Sequence, residues 1–151
     1  MEWRRDGYSI STDRNRLDHE AIHAFLRESY WSPGIPRQVV DRSIEGSLPF
    51  GLFETEGGRQ VGFARVITDS ATFAYLADVY VLPSHRGRGL AKWMMEVIHA
   101  HPDLQGLRRW LLVTQDAHAL YRGVGWRDVE DCSRFMEIVD RDVYRRAGPT
   151  E

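Results

Sequence analysis

One segment, Thr72 to Ile98, constrains the architecture more than any other. Thr72 to Leu82 is rich in aromatic and β-branched residues and reads as a long strand. Pro83 ends it, because proline cannot donate to a ladder. Leu90, Trp93, Met94, Val97 and Ile98 then recur at i, i+3, i+4, i+7 and i+8, the stripe of an amphipathic helix. The chain therefore runs from strand to helix through the short turn Ser84-His85-Arg86-Gly87-Arg88-Gly89. The first amides of such a helix have no internal partner and carry partial positive charge. Gly87, Gly89 and the small Ala91 let a ligand approach the backbone, and Arg86 and Arg88 add full charges. The construction suits a pyrophosphate. On pattern alone a plain tight turn with solvated arginines fits as well. The Gly-Lys-Ser/Thr ending of a P-loop and the three-glycine dinucleotide fingerprint are both missing.

The flanking sequence gives this unit its setting. Tyr8 to Thr12 reads as a short first strand. Asp18 suits a helix N-cap, with Leu17 and Ile22 at the positions of a hydrophobic staple. Ile22, Phe25, Leu26 and Ser29 share a helical face. After the break at Tyr30 to Pro36, Pro36 is placed in the first turn of a second helix carrying Val39, Val40 and Ile44. Leu48 to Thr55 and Gln60 to Thr68 read as strands joined by a hairpin turn at Glu56-Gly57-Gly58-Arg59. Beyond the amphipathic helix, Trp110 to Thr114 reads as a buried strand. Asp116 is placed as the cap of a short helix through Tyr121, ended by Gly123 and Gly125. Arg134 to Val139 reads as a last strand, and the tail from Arg145 as frayed. The order β-α-α-β-β-β-α-β-α-β predicts an α+β fold: a mixed, mostly antiparallel sheet with packed helices, in one domain over residues 1–151.

Composition excludes several classes. The 151 residues are 42% hydrophobic and 28% charged, ordinary for a globular chain. No apolar run approaches the ~20 residues of a membrane helix, and no secretory signal opens the chain, so a cytoplasmic location without membrane association is expected. A net charge of −2 gives no general affinity for nucleic acid. Cys132 is the only cysteine, which rules out an internal disulfide, and Asp131 and Ser133 beside it offer no activation of a thiolate. His99 and His101 are too close for a zinc pair on one helix face, and no metal is expected. His85 and His118 are expected at the surface near the loop.

With its surroundings the loop becomes specific. Val81 and Pro83 end the strand as Val-x-Pro, and Arg86, Gly89 and Ala91 meet the pattern Arg/Gln-x-x-Gly-x-Gly/Ala. Farther on come Leu111 to Thr114, then Leu120-Tyr121, then Gly125-Trp126. In this order and separation the chain resembles the GNAT family of N-acetyltransferases from roughly Leu48 to Ile138. The resemblance implies a strand that carries a bulge and splays from its parallel neighbour, with helices on both faces of the sheet. It implies acetyl-CoA as co-substrate, its pantetheine arm pairing with backbone at Val79, Tyr80 and Val81, and its pyrophosphate resting on amides from Gly87 through Leu90 and Ala91 to Lys92. A backbone amide near Val79 would polarise the thioester carbonyl. Tyr121 matches the acid that protonates the departing thiolate.

Other positions depart from the family pattern or leave alternatives open. Asp78 is a candidate base, the alternative being a structural carboxylate paired with an arginine such as Arg65. Arg109 stands where relatives acting on protein N-termini often carry Glu. Thr114 replaces an Asn that would contact the pantetheine arm, and is a candidate for the same cofactor contact. Tyr30 and Trp31, between the first two helices, are candidates for the acceptor site, or else pack the helix corner. The acceptor is an amine, of a small molecule or a protein. Catalysis is expected by direct attack in a ternary complex; the alternative is an acyl-CoA-binding sensor or interaction module without catalysis. A homodimer is possible.

Overall fold

The computed structural model describes residues 1–146. Its centre is a six-stranded sheet whose spatial order follows the chain: β1 (Glu2–Arg5), β2 (Tyr8–Ser11), β3 (Leu48–Glu54), β4 (Gln60–Thr68), β5 (Phe73–Val81) and β6 (Arg109–Leu111). All neighbours are antiparallel except β5 and β6. The helices are α1 (His19–Leu26), α2 (Arg37–Glu45), α3 (Leu90–Ala100), α4 (His118–Arg122) and the single turn α5 (Val143–Arg146). No helix among the described residues is long and apolar enough to cross a membrane.

Alternation along the strands sends side chains to two faces, and each face has its own core. Ile22, Leu26, Val40 and Ile44 of α1 and α2 pack with Phe53, Phe63 and Tyr80. Trp93, Met94, Met95, Val97 and Ile98 of α3, with Tyr121 of α4, pack with Phe50, Leu52, Val66 and Leu76. Helices on both faces, as expected, follow from this division. Asp18 caps α1, its carboxylate accepting from the Ala21 amide at 2.9 Å. Leu17 and Ile22 lie in the same core cluster, as the staple requires.

The crossover strand makes the splay. Facing β4, the register shifts between Phe63↔Tyr80 and Arg65↔Ala77, so β5 carries an extra residue, and Asp78 takes φ 56°. Facing β6, pairing runs only from Phe73↔Arg109 to Tyr75↔Leu111. Beyond Tyr75 the two parallel strands part, and the expected cleft opens between them.

Several expectations fail locally. Glu2–Arg5 forms a strand paired with β2 that the sequence reading omitted. The signal was present: Asp6-Gly7 is a tight hairpin turn, with both residues at positive φ. Pro36 is the N-cap of α2 rather than a residue of its first turn. The strand expected over Trp110–Thr114 spans Arg109–Leu111, because β5 diverges after Leu111. Asp116 does not cap α4. Ala117 is its N-cap and no side chain bonds its first turn; the Thr114 hydroxyl accepts from the Ala117 amide at 3.1 Å, just ahead of the helix. Arg134 to Val139 forms no strand; after a 3-10 turn at Cys132–Arg134 the segment bonds to no ladder. Of the tail expected to fray, Arg145 and Arg146 complete α5, and residues 147–151 lie outside the described residues.

Candidate active site

The turn after β5 is organised to leave amides free. Gly89 is the N-cap of α3 at φ 72°, in the left-handed region, and no side chain caps the helix. Gly87 adopts φ 81°. A non-glycine residue at either position would be strained. The first helical bond is Trp93 N–H to Gly89 C=O at 3.0 Å, and the amides from Gly87 to Lys92 find no acceptor among the described residues. Leu90 turns its side chain into the core, while Arg86, Arg88 and Lys92 face solvent. An added Cβ at Gly87 or Gly89 meets nothing within 4 Å, so the space over the loop is open to a ligand. Arg86 also serves the protein: its Nε donates to the Val81 carbonyl at 2.9 Å and folds the turn back onto the strand end.

His85, expected at the surface, is buried. Arg88 Nη1 donates to the Tyr8 hydroxyl at 2.8 Å, and that hydroxyl lies 2.8 Å from His85 Nδ1. Arginine only donates, so the Tyr8 hydroxyl accepts from Arg88 and keeps its own proton free for Nδ1, while His85 Nε2 faces Glu54 at 3.5 Å. This relay ties the loop to β2 and β3. No local signal in the sequence marked it, because Tyr8 and His85 are 77 residues apart. Tyr8→Phe is expected to leave a buried imidazole nitrogen unpaired and to cost about 1–2 kcal/mol. Urea denaturation checks this.

Val79, Tyr80 and Val81 lie on the part of β5 that diverges from β6. The Tyr80 ring turns to the α1 face, stacked on Phe25 with centroids 3.9 Å apart, so it offers the cleft its backbone rather than its phenol. Burial raises the Tyr80 hydroxyl far above an ordinary phenol, with Asp18 and Asp78 adding to the effect.

Tyr121, on α4, is 8% exposed and packs against Trp126. Burial, then Tyr30 and Asp116, push its phenol up to about 12. No side chain or carbonyl of the described residues bonds this hydroxyl, yet it is not sealed off. Tyr121 lines a cleft of about 520 Å³ with Leu112, Thr114 and His118. The Thr114 oxygen already accepts from the Ala117 amide.

Tyr30 and Trp31 join the two sides of the splay. The Tyr30 hydroxyl accepts from the Gln115 amide at 2.9 Å, beyond β6, and Trp31 Nε1 donates to Asp78 Oδ1 at 2.8 Å, at the β5 bulge. Their rings meet edge to face at 5.1 Å. The other Asp78 oxygen accepts from Arg65 Nε at 2.6 Å. The side chains of Asp78 and Arg65 are 8% and 16% exposed. Asp78 thus has the arginine partner that the structural alternative required. Each of its oxygens still has a lone pair for a further donor.

His99 Nε2 accepts from Trp126 Nε1 at 3.0 Å, and burial lowers its pKa, which favours that neutral acceptor. Among the described residues no three potential ligands cluster for a metal. Cys132 is exposed and far from these groups in the chain.

Comparison with known proteins agrees with this geometry. The family model for the acetyltransferase (GNAT) domain matches residues 50–128. A Gibberella zeae protein provisionally assigned as an acetyltransferase is 34% identical, over 87% of this chain and 85% of its own length. A GNAT-family protein from Xanthomonas campestris pv. campestris has a crystal structure that superposes with a TM-score of 0.87 at 49% identity, covering 91% of this chain and 96% of that one. A Clostridium acetobutylicum protein crystallised with acetyl-CoA shares the fold at 16% identity and a TM-score of 0.63, over 87% and 94% of the two chains.

Proposed function

Since the chain belongs to the GNAT family of acetyltransferases, we propose that it transfers the acetyl group of acetyl-CoA to an amine, by direct attack in a ternary complex and within one N-acetyltransferase domain. The observation that carries the reading is the run of unbonded amides from Gly87 to Lys92, beneath open space and beside a splayed strand pair. In this reading those amides, with Arg88 and Lys92, hold the pyrophosphate. The diverging edge of β5 at Val79 to Val81 receives the pantetheine arm. The amides there face the thioester oxygen as charge develops on it.

Tyr121 supplies the proton donor to the departing sulfur. A phenol at about 12 remains protonated throughout the neutral range. It is a weaker acid than a thiol of ~8.5, so its main contribution is a hydrogen bond that strengthens as the sulfur gains charge. Asp78 accepts the amine proton, through a water if the amine does not reach it. Arg65 holds one oxygen of the carboxylate, and Trp31 the other, so the two aim it. Tyr30, Trp31 and Asp78 present aromatic faces and one carboxylate to the acceptor, which suits an ammonium on an apolar or aromatic body.

Acetyl-CoA at 100 times its dissociation constant is expected to stabilise the fold by about 2.7 kcal/mol. For a chain of this size that raises the melting temperature by roughly 5–10 °C. The same samples incubated with a panel of amines should release free thiol. No thermal shift would remove the acetyl-CoA reading. A shift without thiol release from any amine would favour a non-catalytic acyl-CoA sensor.

A further inference from the structure

The α1–α2 side of the sheet carries an apolar surface that neither core covers. Ala74 and Leu76 of β5 turn into the core beneath α3, so Phe73, Tyr75 and Ala77 face the other way. Ile67 of β4 and Leu111 of β6 are the cross-strand partners of Tyr75 and share its face. Ile67, Phe73, Tyr75 and Leu111 belong to neither core cluster. Ile67 is 42% and Phe73 37% exposed. Three strands in register make this floor about 10 Å wide.

The floor leads to a carboxylate. Asp78 follows Tyr75 by three residues, so about 10 Å of strand separates them. Burial raises the Tyr75 phenol, Asp78 adds to the rise and Arg65 opposes it, so the ring lies within the field of that ion pair. Trp31 bonds Asp78, and the Tyr30 ring meets Trp31 edge to face. The cation here is already engaged: Arg65 Nε donates to Asp78 and its Nη1 to Ser47 Oγ at 3.0 Å. Arg109, the partner of Phe73, stands five residues down β5 from Asp78, about 17 Å away. The one lysine, Lys92, belongs to the phosphate loop.

We propose that this site takes a primary arylalkylamine with no carboxylate or phosphate beside the amine: its ammonium bonds Asp78 next to the Tyr30 and Trp31 rings, and its aromatic ring lies on Ile67, Tyr75 and Leu111. A short alkyl linker, with the reach of the Asp78 side chain, covers the distance from carboxylate to floor. The ammonium gains a charge-assisted bond and the faces of two aromatic rings. The ring gains an apolar floor that water otherwise covers. An acidic group next to the amine would face Asp78 with no cation in reach, which sets amino acids apart from the amines formed by their decarboxylation. That the bound amine is then acetylated rests on the acetyl-transfer reading; the binding preference does not.

Calorimetry on the full chain saturated with coenzyme A tests it, with phenethylamine, phenylalanine and putrescine as probes. Phenylalanine adds a carboxylate beside the amine, and putrescine keeps the amine without the ring. Phenethylamine is expected to bind at least ~10-fold more tightly than either. Ile67→Glu puts a charge on the floor at an exposed position outside both cores. It should bring phenethylamine and putrescine within about three-fold of each other, whereas general damage to the fold would weaken both alike. Equal binding of the three probes, no binding of phenethylamine, or an unchanged ratio in Ile67→Glu overturns the proposal. Thiol release with acetyl-CoA separates the two readings. Selective binding of phenethylamine without thiol release would overturn acetyl transfer and leave the site standing. Thiol release from phenylalanine or putrescine but not from phenethylamine would overturn the site and leave acetyl transfer standing.

Discussion

Tyr121→Phe is expected to lower kcat by about 100-fold while leaving the acetyl-CoA dissociation constant within about two-fold of wild type. The variant removes one oxygen that forms no bond to the described residues, so the ring keeps its contact with Trp126 and the core is undisturbed. An interaction made only as negative charge appears on sulfur contributes to turnover rather than to ground-state binding. Turnover by thiol release and affinity by calorimetry separate the two. Unchanged kcat would assign Tyr121 to packing alone.

The same variant carries a pH signature. Burial raises the folded-state phenol from an ordinary value of 10.0 to about 12. The folded protein therefore holds this proton more tightly than the unfolded chain. The associated stabilisation is complete below pH ~10 and is lost as pH rises through about 12, by as much as ~3 kcal/mol. Tyr121→Phe lacks that dependence. Urea unfolding at about pH 9 and pH 11.5 should show the wild type losing more stability than the variant over that interval.

Asp78→Asn is expected to cost about 3–5 kcal/mol and to lower the melting temperature by roughly 10 °C. The cause is the partner left behind. Arg65 is mostly buried and would keep its charge with no carboxylate to meet it. The Trp31 bond can survive, because the asparagine oxygen still accepts. Stability loss alone does not separate a structural carboxylate from a base, so the double variant Arg65→Met, Asp78→Asn is the decisive companion. Removing the stranded charge should recover most of the stability. If Asp78 also takes the amine proton, activity stays low in the refolded double variant. Activity returning with stability would make Asp78 a structural residue only.

The local code was legible where each decision was local. Asp18 reads as an N-cap because a carboxylate there bonds the next turn's amides, whatever lies elsewhere. The stripe of α3 and the hairpin at Gly57-Gly58 were equally self-contained. Asp6-Gly7 is just as local, a two-residue turn with both residues at positive φ. Arg134 to Val139 failed for another reason. A strand needs an edge to bond, and no propensity supplies one. Asp116 caps no helix because α4 starts one residue later than the pattern suggests, at His118, with Ala117 at its N-cap and no side chain bonding its first turn.

The loop from Arg86 to Lys92 was fixed by sequence alone: its glycines permit the left-handed turn, and a helix that starts there must leave its first amides unpaired. Only the tertiary structure decided what surrounds it. Packing buried His85 under Tyr8, paired Asp78 with Arg65, and carried Tyr30 and Trp31 to opposite sides of the splay. Those contacts join residues 13 to 85 positions apart, and their partners are set by how the sheet and helices stack rather than by any neighbour in the chain.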